Sequence, residues 1–484
     1  MKRLMIYGVL IAVLLLILPV AVAAAPTTLT VFLHNDQVEL TQRIYYVDTY
    51  IGTTYLGRYR SGDTFTVNAP ANLKFRAWTG SSIRGPDSFV TIADGDTLFS
   101  YEYATVKVEL FGGPDELDDP DTYYVEIAGI GKVGSGEFFH VPVGARIAYQ
   151  ACTKSICGPI EYTSFADAGA GSLRYDYSVV TVQLFNGATE LNDEEWYYLE
   201  IGEIGNKGSG EKFFVPADTS VSYRAWTGAH ISGPELQATI NAGAQMLEYE
   251  YATVKIRLYT PADPTHAATE LIDKTKYCLE ISGIGNLGYN DVFHVPENAV
   301  FSYRACAACT GTPIRGPWLS ASFAAGEQTF NVEYAAVTVR LYNGNTQLVD
   351  RNTYSVEVQN IGTMKYNDVF YVPSNADISF RAWTGSTICG PWVPTSFSAG
   401  NRILNYEYAT VKFVFDLSGG SCTMQTAVTG IGNVPNGGKV HVPDNADVSF
   451  RADVCGWLSG VKTITFYSGE GTVKWSMTAT YTRP

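Results

Sequence analysis

Tyr101-Glu102-Tyr103-Ala104-Thr105-Val106-Lys107-Val108 decides how this chain is read, because the stretch comes back. Residues 249–256 (YEYATVKI) and 406–413 (YEYATVKF) repeat it closely, and residues 175–182 and 332–339 repeat it loosely. The last tyrosine of each copy (Tyr103, Tyr177, Tyr251, Tyr334, Tyr408) and then Tyr481 lie 74, 74, 83, 74 and 73 residues apart. A fixed period of this kind marks a repeat architecture. The stretch ends one repeat and opens the next without Gly, Pro or Ser, so a strand is expected to run straight through each boundary, where flexible beads would need a spacer.

Alternation inside the stretch is equally informative. Tyr101 and Tyr103 share one parity, whereas Val106, Val108 and Leu110 share the other. Successive strand side chains point to opposite faces, so a parity flip predicts a bulge, a bend, or passage from one sheet to its neighbour. The junction therefore reads as a seam at which adjacent repeats share a sheet or hand a strand across.

Working outward, the period divides the chain into repeats at 26–103, 104–177, 178–251, 252–334, 335–408 and 409–484. Residues 1–25 read as a secretory signal: Lys2 and Arg3, an apolar core over 4–18, and small residues that place the cut after Ala23 or Ala24. No second long apolar run exists, so an exported chain without a membrane span is expected.

Composition agrees with β-structure. Tyrosine (32) and glycine (46) are abundant, charged residues make up only 17% and apolar ones 46%, which is too apolar for disorder. A net charge of −15 argues against a nucleic-acid partner, which needs basic patches.

In the second repeat, short runs at 106–111, 123–127, 138–141, 147–151, 162–165 and 173–177 are separated by Gly, Pro and acidic turns. Turn signals every 8–12 residues, with no sustained helical period, predict an all-β fold: six tandem antiparallel sandwich or arch-like repeats stacked without linkers. The fourth repeat is nine residues longer, with the surplus in loops at 260–268 and 306–312. The sixth has Gly460-Val461 where the others have Gly-Pro, and Thr480 where they have an acid between the closing tyrosines. Arginine recurs on the fourth strand (Arg76, Arg224, Arg304, Arg381, Arg451), and an acid recurs between the tyrosines (Glu102, Asp176, Glu250, Glu333, Glu407). Pairing each acid with the Arg of the next repeat is the expectation, and pairing within a repeat is the alternative.

Eight cysteines in a secreted chain are read first as disulfides. Cys152 with Cys157, and Cys306 with Cys309, are close enough to close locally, and Cys422 with Cys455 is a candidate bridge within the last repeat. Cys278 and Cys389 are unassigned: buried thiols, a bridge between repeats four and five, or a cross-link between molecules.

Chemical motifs are few. Gly129-x-Gly131-x-x-Gly134 and its copy at Gly283 resemble a dinucleotide fingerprint, but a strand follows where that motif needs a helix. His140, His294 and His441 share one repeat position with Phe214 and Tyr371, so that position is aromatic, not catalytic. No cofactor is predicted apart from Ca²⁺, for which the repeat-equivalent Asp119, Asp193, Asp273 and Asp350 in acidic turns are the candidates. Trp78, Trp226 and Trp383 open the Arg-Ala-Trp-Thr-Gly loops and are candidate glycan contacts. Cys152 and Cys306 take their place in two repeats, which favours an anchoring role. With no constellation of catalytic residues, the chain is read as a non-enzyme.

Repeated YEYATVKV and FRAWTG…GP segments behind a signal peptide resemble the repeat-built surface proteins of archaea, in particular the major sheath proteins of filamentous methanogens. That resemblance implies a self-assembling, extracellular, amyloid-like sheath, fibre or cell-surface coat whose partner is itself. The alternative is an adhesin or polysaccharide-binding protein at the cell surface.

Overall fold

The computed structural model describes residues 25–36, 38–416 and 423–476. The expected signal peptide up to its last residue, Cys422, Thr480 and Tyr481 lie outside the described residues. Within them the chain is all-β and has no helix. Contacts divide the described residues into two compact bodies, one comprising those within 1–183, 199–223 and 236–248, the other those within 184–198, 224–235 and 249–484.

In the first body, the second repeat shows how a sandwich is built. Strand Leu98–Gly112 carries two partners along its second half. Phe138–Pro142 runs antiparallel on one side, with Phe139 opposite Val106, and Gly169–Asn186 runs parallel on the other, with Leu173 opposite Val108. The facing sheet sets Tyr123–Ile127 between Gly131–Val133 and Arg146–Thr153, and the last of these also holds Ile156–Cys157 and Glu161–Ser164. Val106, Val108, Leu110, Val125, Ile127, Phe139, Val141 and Ile147 fill the space between the sheets, as alternation on each strand dictates.

The second body repeats the plan. In the fifth repeat, Gly326–Asn343 pairs antiparallel with Val369–Pro373 and parallel with Gly400–Asp416, over a sheet of Tyr354–Val358, Gly362–Met364 and Ile378–Thr384.

The parity flip is a change of core. The first half of Leu98–Gly112 pairs parallel with Ala25–Asn35 and sends Phe99 and Tyr103 into the first repeat's core. From Ala104 onward the strand fills the second repeat's core. Tyr103 and Ala104, consecutive in sequence, are both buried because each faces a different sandwich. Tyr334 and Ala335 repeat the pattern, as do Tyr408 and Ala409.

In the sixth repeat, Phe415 pairs with Trp475, as Leu341 pairs with Tyr406, so Trp475 stands at the register of the penultimate tyrosine. One expectation is corrected: Arg76, Arg224, Arg304 and Arg381 do not meet the acids between the tyrosines. Arg304 and Arg381 pair with Glu280 and Glu357, their direct cross-strand neighbours, while Arg76 and Arg224 reach Asp87 and Glu235 just beyond the Gly-Pro of their own repeats. Register places an acid of the same sheet closer than either alternative.

Candidate functional site: the joint between repeats

The strongest regularity in the structure lies where one repeat meets the next. Each closing tyrosine inserts its hydroxyl between two backbone carbonyls on neighbouring strands. Tyr103 donates to Trp78 O (2.9 Å) and Tyr46 O (3.2 Å), and Tyr177 to Cys152 O (2.9 Å) and Tyr124 O (3.0 Å). Tyr251, Tyr334 and Tyr408 do the same to Trp226 and Tyr198, Cys306 and Cys278, and Trp383 and Ser355. The five hydroxyls are buried, and burial pushes their pKa values well above the ordinary tyrosine value.

One residue beyond the Trp-or-Cys position, a threonine crosses the joint. Thr79 Oγ1 donates to His140 O (2.9 Å), Thr153 to Phe214 O (2.9 Å), Thr227 to His294 O (3.0 Å) and Thr384 to His441 O (2.9 Å). The aromatic at that next-repeat position meets a tyrosine of the preceding repeat edge-on or tilted. Ring centroids lie 6.0 Å apart for Tyr45 and His140, 6.1 Å for Tyr123 and Phe214, 5.9 Å for Tyr277 and Tyr371, and 6.2 Å for Tyr354 and His441. Burial lowers the pKa of His140, His294 and His441, so these rings serve as neutral packing surfaces.

The Gly-Pro loop completes the joint. A methyl at Gly85 would lie 2.8 Å from Cβ of Pro142 in the next repeat. The same holds for Gly158 against Pro216 (2.8 Å), Gly233 against Pro296 (2.9 Å), Gly316 against Pro373 (3.2 Å) and Gly390 against Pro443 (3.1 Å). Beside it, Ile83, Ile231, Ile314 and Ile388 each enter the core of the following repeat. Tyr101 and Tyr406 accept hydrogen bonds from the N–H that follows that repeat's proline, at Val143 (3.1 Å) and Asp444 (3.0 Å).

The sequence-predicted sites are distributed among the repeats. Trp78 and Trp226 are half-buried and stack on Tyr46 and Tyr198, and Trp383 donates its indole N–H to Glu357 (3.0 Å). Trp318 and Trp392, not singled out by sequence, are the more exposed, with the guanidinium groups of Arg304 and Arg381 over their rings. They follow the Gly-Pro in only two repeats, so periodicity did not reveal them.

Asp119, Asp193, Asp273 and Asp350 lie one per repeat and are not brought together. The hydroxyls of Thr122, Thr275 and Thr353, joined by the backbone N–H groups of Asp121, Thr275 and Asn352, hold the carboxyls of Asp119, Asp273 and Asp350 below the usual range. In all four, the backbone carbonyl caps the same turn, as when Tyr123 and Tyr197 donate to Asp119 and Asp193. Asp263 in the fourth repeat's insertion organises a second kind of turn and bonds Asn401 (2.7 Å).

Cysteine pairing differs from the sequence reading. Cys152–Cys157 is a disulfide, but Cys309 pairs with Cys278 and Cys306 is a free thiol. Cys306 faces Cys278 across the strand pair with its sulfur buried near Glu280, while Ala308, with φ of 60°, turns Cys309 back over Cys278. Burial raises the Cys306 thiol to about 11. Cys389, now without Cys278 as a possible partner, is also free. The Cys422 half of the Cys422–Cys455 expectation lies outside the described residues.

These features define the molecule as an all-β protein of interlocked tandem sandwiches. No protein-family model matches the chain, and no curated protein does. Among solved structures it is similar to the Bacillus anthracis TIE protein, with 10% identity over 64% of this chain and 68% of that one and a TM-score of 0.15. A Ca²⁺-stabilized adhesin that helps an Antarctic bacterium reach out and bind ice is 9% identical over 79% of this chain and all of that one, with a TM-score of 0.09. Domains 4–9 of the surface layer protein SbsC are 8% identical over 90% and 93%, with a TM-score of 0.10. At scores of this size the likeness carries no argument about function.

Proposed function

We propose that this chain is a secreted, non-enzymatic structural protein of the cell surface that self-assembles into an extracellular sheath, fibre or coat, as the resemblance to archaeal sheath proteins suggests. The joint supports this reading. One geometry of tyrosine plugs, threonine crossings and glycine–proline contacts recurs along the chain, so each repeat carries a face that fits another repeat. Disulfides at Cys152–Cys157 and Cys278–Cys309 suit an oxidising compartment outside the cell. Assembly from such units would stack folded sandwiches. Electron microscopy of the purified mature protein tests the proposal: long ordered polymers are expected, and monodisperse particles at every concentration would refute it.

A second reading, an adhesin or polysaccharide binder, is favoured by exposed Trp318 and Trp392, because an indole face held flat by an arginine suits stacking on a sugar ring. It predicts that glycan binding to the mature protein is lost in Trp392→Ala.

A further inference from the structure

Each face of a joint can be traced to a repeat in which, among the described residues, it is left exposed. The two-residue strand that delivers Ile83 pairs residue for residue with the end of Ala71–Thr79, setting Thr79 opposite Ile83. In the sixth repeat the same register sets Val454 opposite Trp457. Ile83, Ile231, Ile314 and Ile388 are all buried in the following repeat, whereas Trp457 is 80% exposed. Leu458 and Val461 beside it are 52% and 65% exposed, and Ser459, whose N–H donates to Ala452 O as that of Gly85 does to Ala77 O, stands in place of the glycine. An exposed tryptophan flanked by two aliphatic residues, at a position filled by a buried isoleucine in four other repeats, marks an exposed contact surface.

The complementary face belongs to the first repeat. Thr28 opposite Thr66 repeats the register of Thr105 opposite His140, and Pro26 opposite Asn68 repeats that of Tyr103 opposite Pro142. Thr66 therefore stands where later repeats carry His140, Phe214, His294, Tyr371 and His441. Thr66 and Asn68 are exposed, and the Thr66 hydroxyl bonds across its own strand pair to Thr28 (3.1 Å).

We propose that the face of the sixth repeat seats on the first repeat of a second copy of this chain, with Trp457 as the inserted side chain. The inference rests on the assembly reading above and specifies its joint. Both sides of this joint differ from the internal ones: the inserting residue is tryptophan in place of isoleucine, and Thr66 stands in place of an aromatic ring. The molecule already adjusts side-chain size at one internal joint. Where the incoming residue is Phe214, the position held elsewhere by Asn35 and Asn186 is Gly112, and any side chain there would collide with the Phe214 ring. The occupant is argued from the chain's own joints: four copies of this face are each covered by a strand equivalent to Thr64–Ala69 of the first repeat.

The test uses the mature full-length chain. Trp457→Asp, on an exposed side chain, is expected to leave the melting temperature unchanged and to raise the concentration threshold for polymers at least tenfold. Thr66→Trp, which fills the receiving site, is expected to do the same. Mixing Leu458→Cys chains with Asn68→Cys chains under mild oxidation is expected to give a mixed disulfide dimer that neither variant forms alone. Polymers that persist in both Trp457→Asp and Thr66→Trp overturn this joint while leaving the assembly reading standing. A wild-type chain that stays monodisperse, together with no mixed dimer, overturns both.

Discussion

A tyrosine hydroxyl has one proton, and in each joint that proton is shared between two carbonyls that face each other across a strand pair, such as Cys278 and Cys306 beneath Tyr334. Each carbonyl also accepts a ladder N–H from the opposite strand, so removing the hydroxyl takes away a second donor. Tyr334→Phe should therefore cost about 0.5–1.5 kcal/mol, the usual net worth of a hydrogen bond, measurable by chemical denaturation. Ionisation acts on the tyrosines whose rings pack against these plugs. Burial raises Tyr45, Tyr101, Tyr175, Tyr277 and Tyr406 to about 12, against an ordinary value near 10. A raised pKa means that the folded state holds the proton more tightly. Stability from this source is thus complete below pH 10 and is lost as pH rises from about 10 through 12. The thermal midpoint should stay level from neutrality to about pH 10 and fall steeply above it, with tyrosinate absorbance lagging the free amino acid by about two units.

At the scale of the element, the Gly-Pro loop and the strand ending in proline form one contact. Gly85 lies outside the left-handed region, so its only requirement is room beside Pro142. Gly85→Ala should destabilise by about 1–3 kcal/mol through overpacking, whereas Gly460→Ala, with open space around it, should be neutral in the same urea titration. The pair Gly112 and Phe214 permits a double-mutant cycle. Gly112→Asn alone clashes with the ring and Phe214→His alone leaves a gap, but together they recreate the Asn186–His294 contact (3.3 Å). The double variant should recover at least about 1 kcal/mol relative to the sum of the single ones.

For the molecule as a whole, covalent closure matters most where the chain is least regular. The fourth repeat carries the loop insertions, and Cys278–Cys309 closes a loop with a sequence separation of 31 that ends within the second of them. Constraint on the unfolded chain of that length contributes about 3–4 kcal/mol. Cys278→Ser should lower the stability of the second body by roughly that amount, whereas cutting Cys152–Cys157, with a separation of five, should cost less. Continuous strands through Tyr103, Tyr334 and Tyr408 also predict that limited proteolysis spares these junctions and cuts first in exposed loops such as the Asp263 turn.

Repeat number, all-β class and the unbroken junction strand were legible in the sequence, because period and alternation are local properties that burial imposes on every strand. The run Tyr123–Ile127 was readable to the residue for that reason. Tertiary structure alone decided what the conserved-looking positions do within the chain. The Trp-or-Cys position contributes its carbonyl, which every residue type possesses, so no side-chain pattern exposes it. Glycine before proline is required by a neighbour about 57 residues away, and Arg304 chooses Glu280 because register sets them face to face. Cys309 reaches Cys278 rather than Cys306 for the same reason: sequence separation measures chain length, whereas bonding depends on which strands the fold lays side by side.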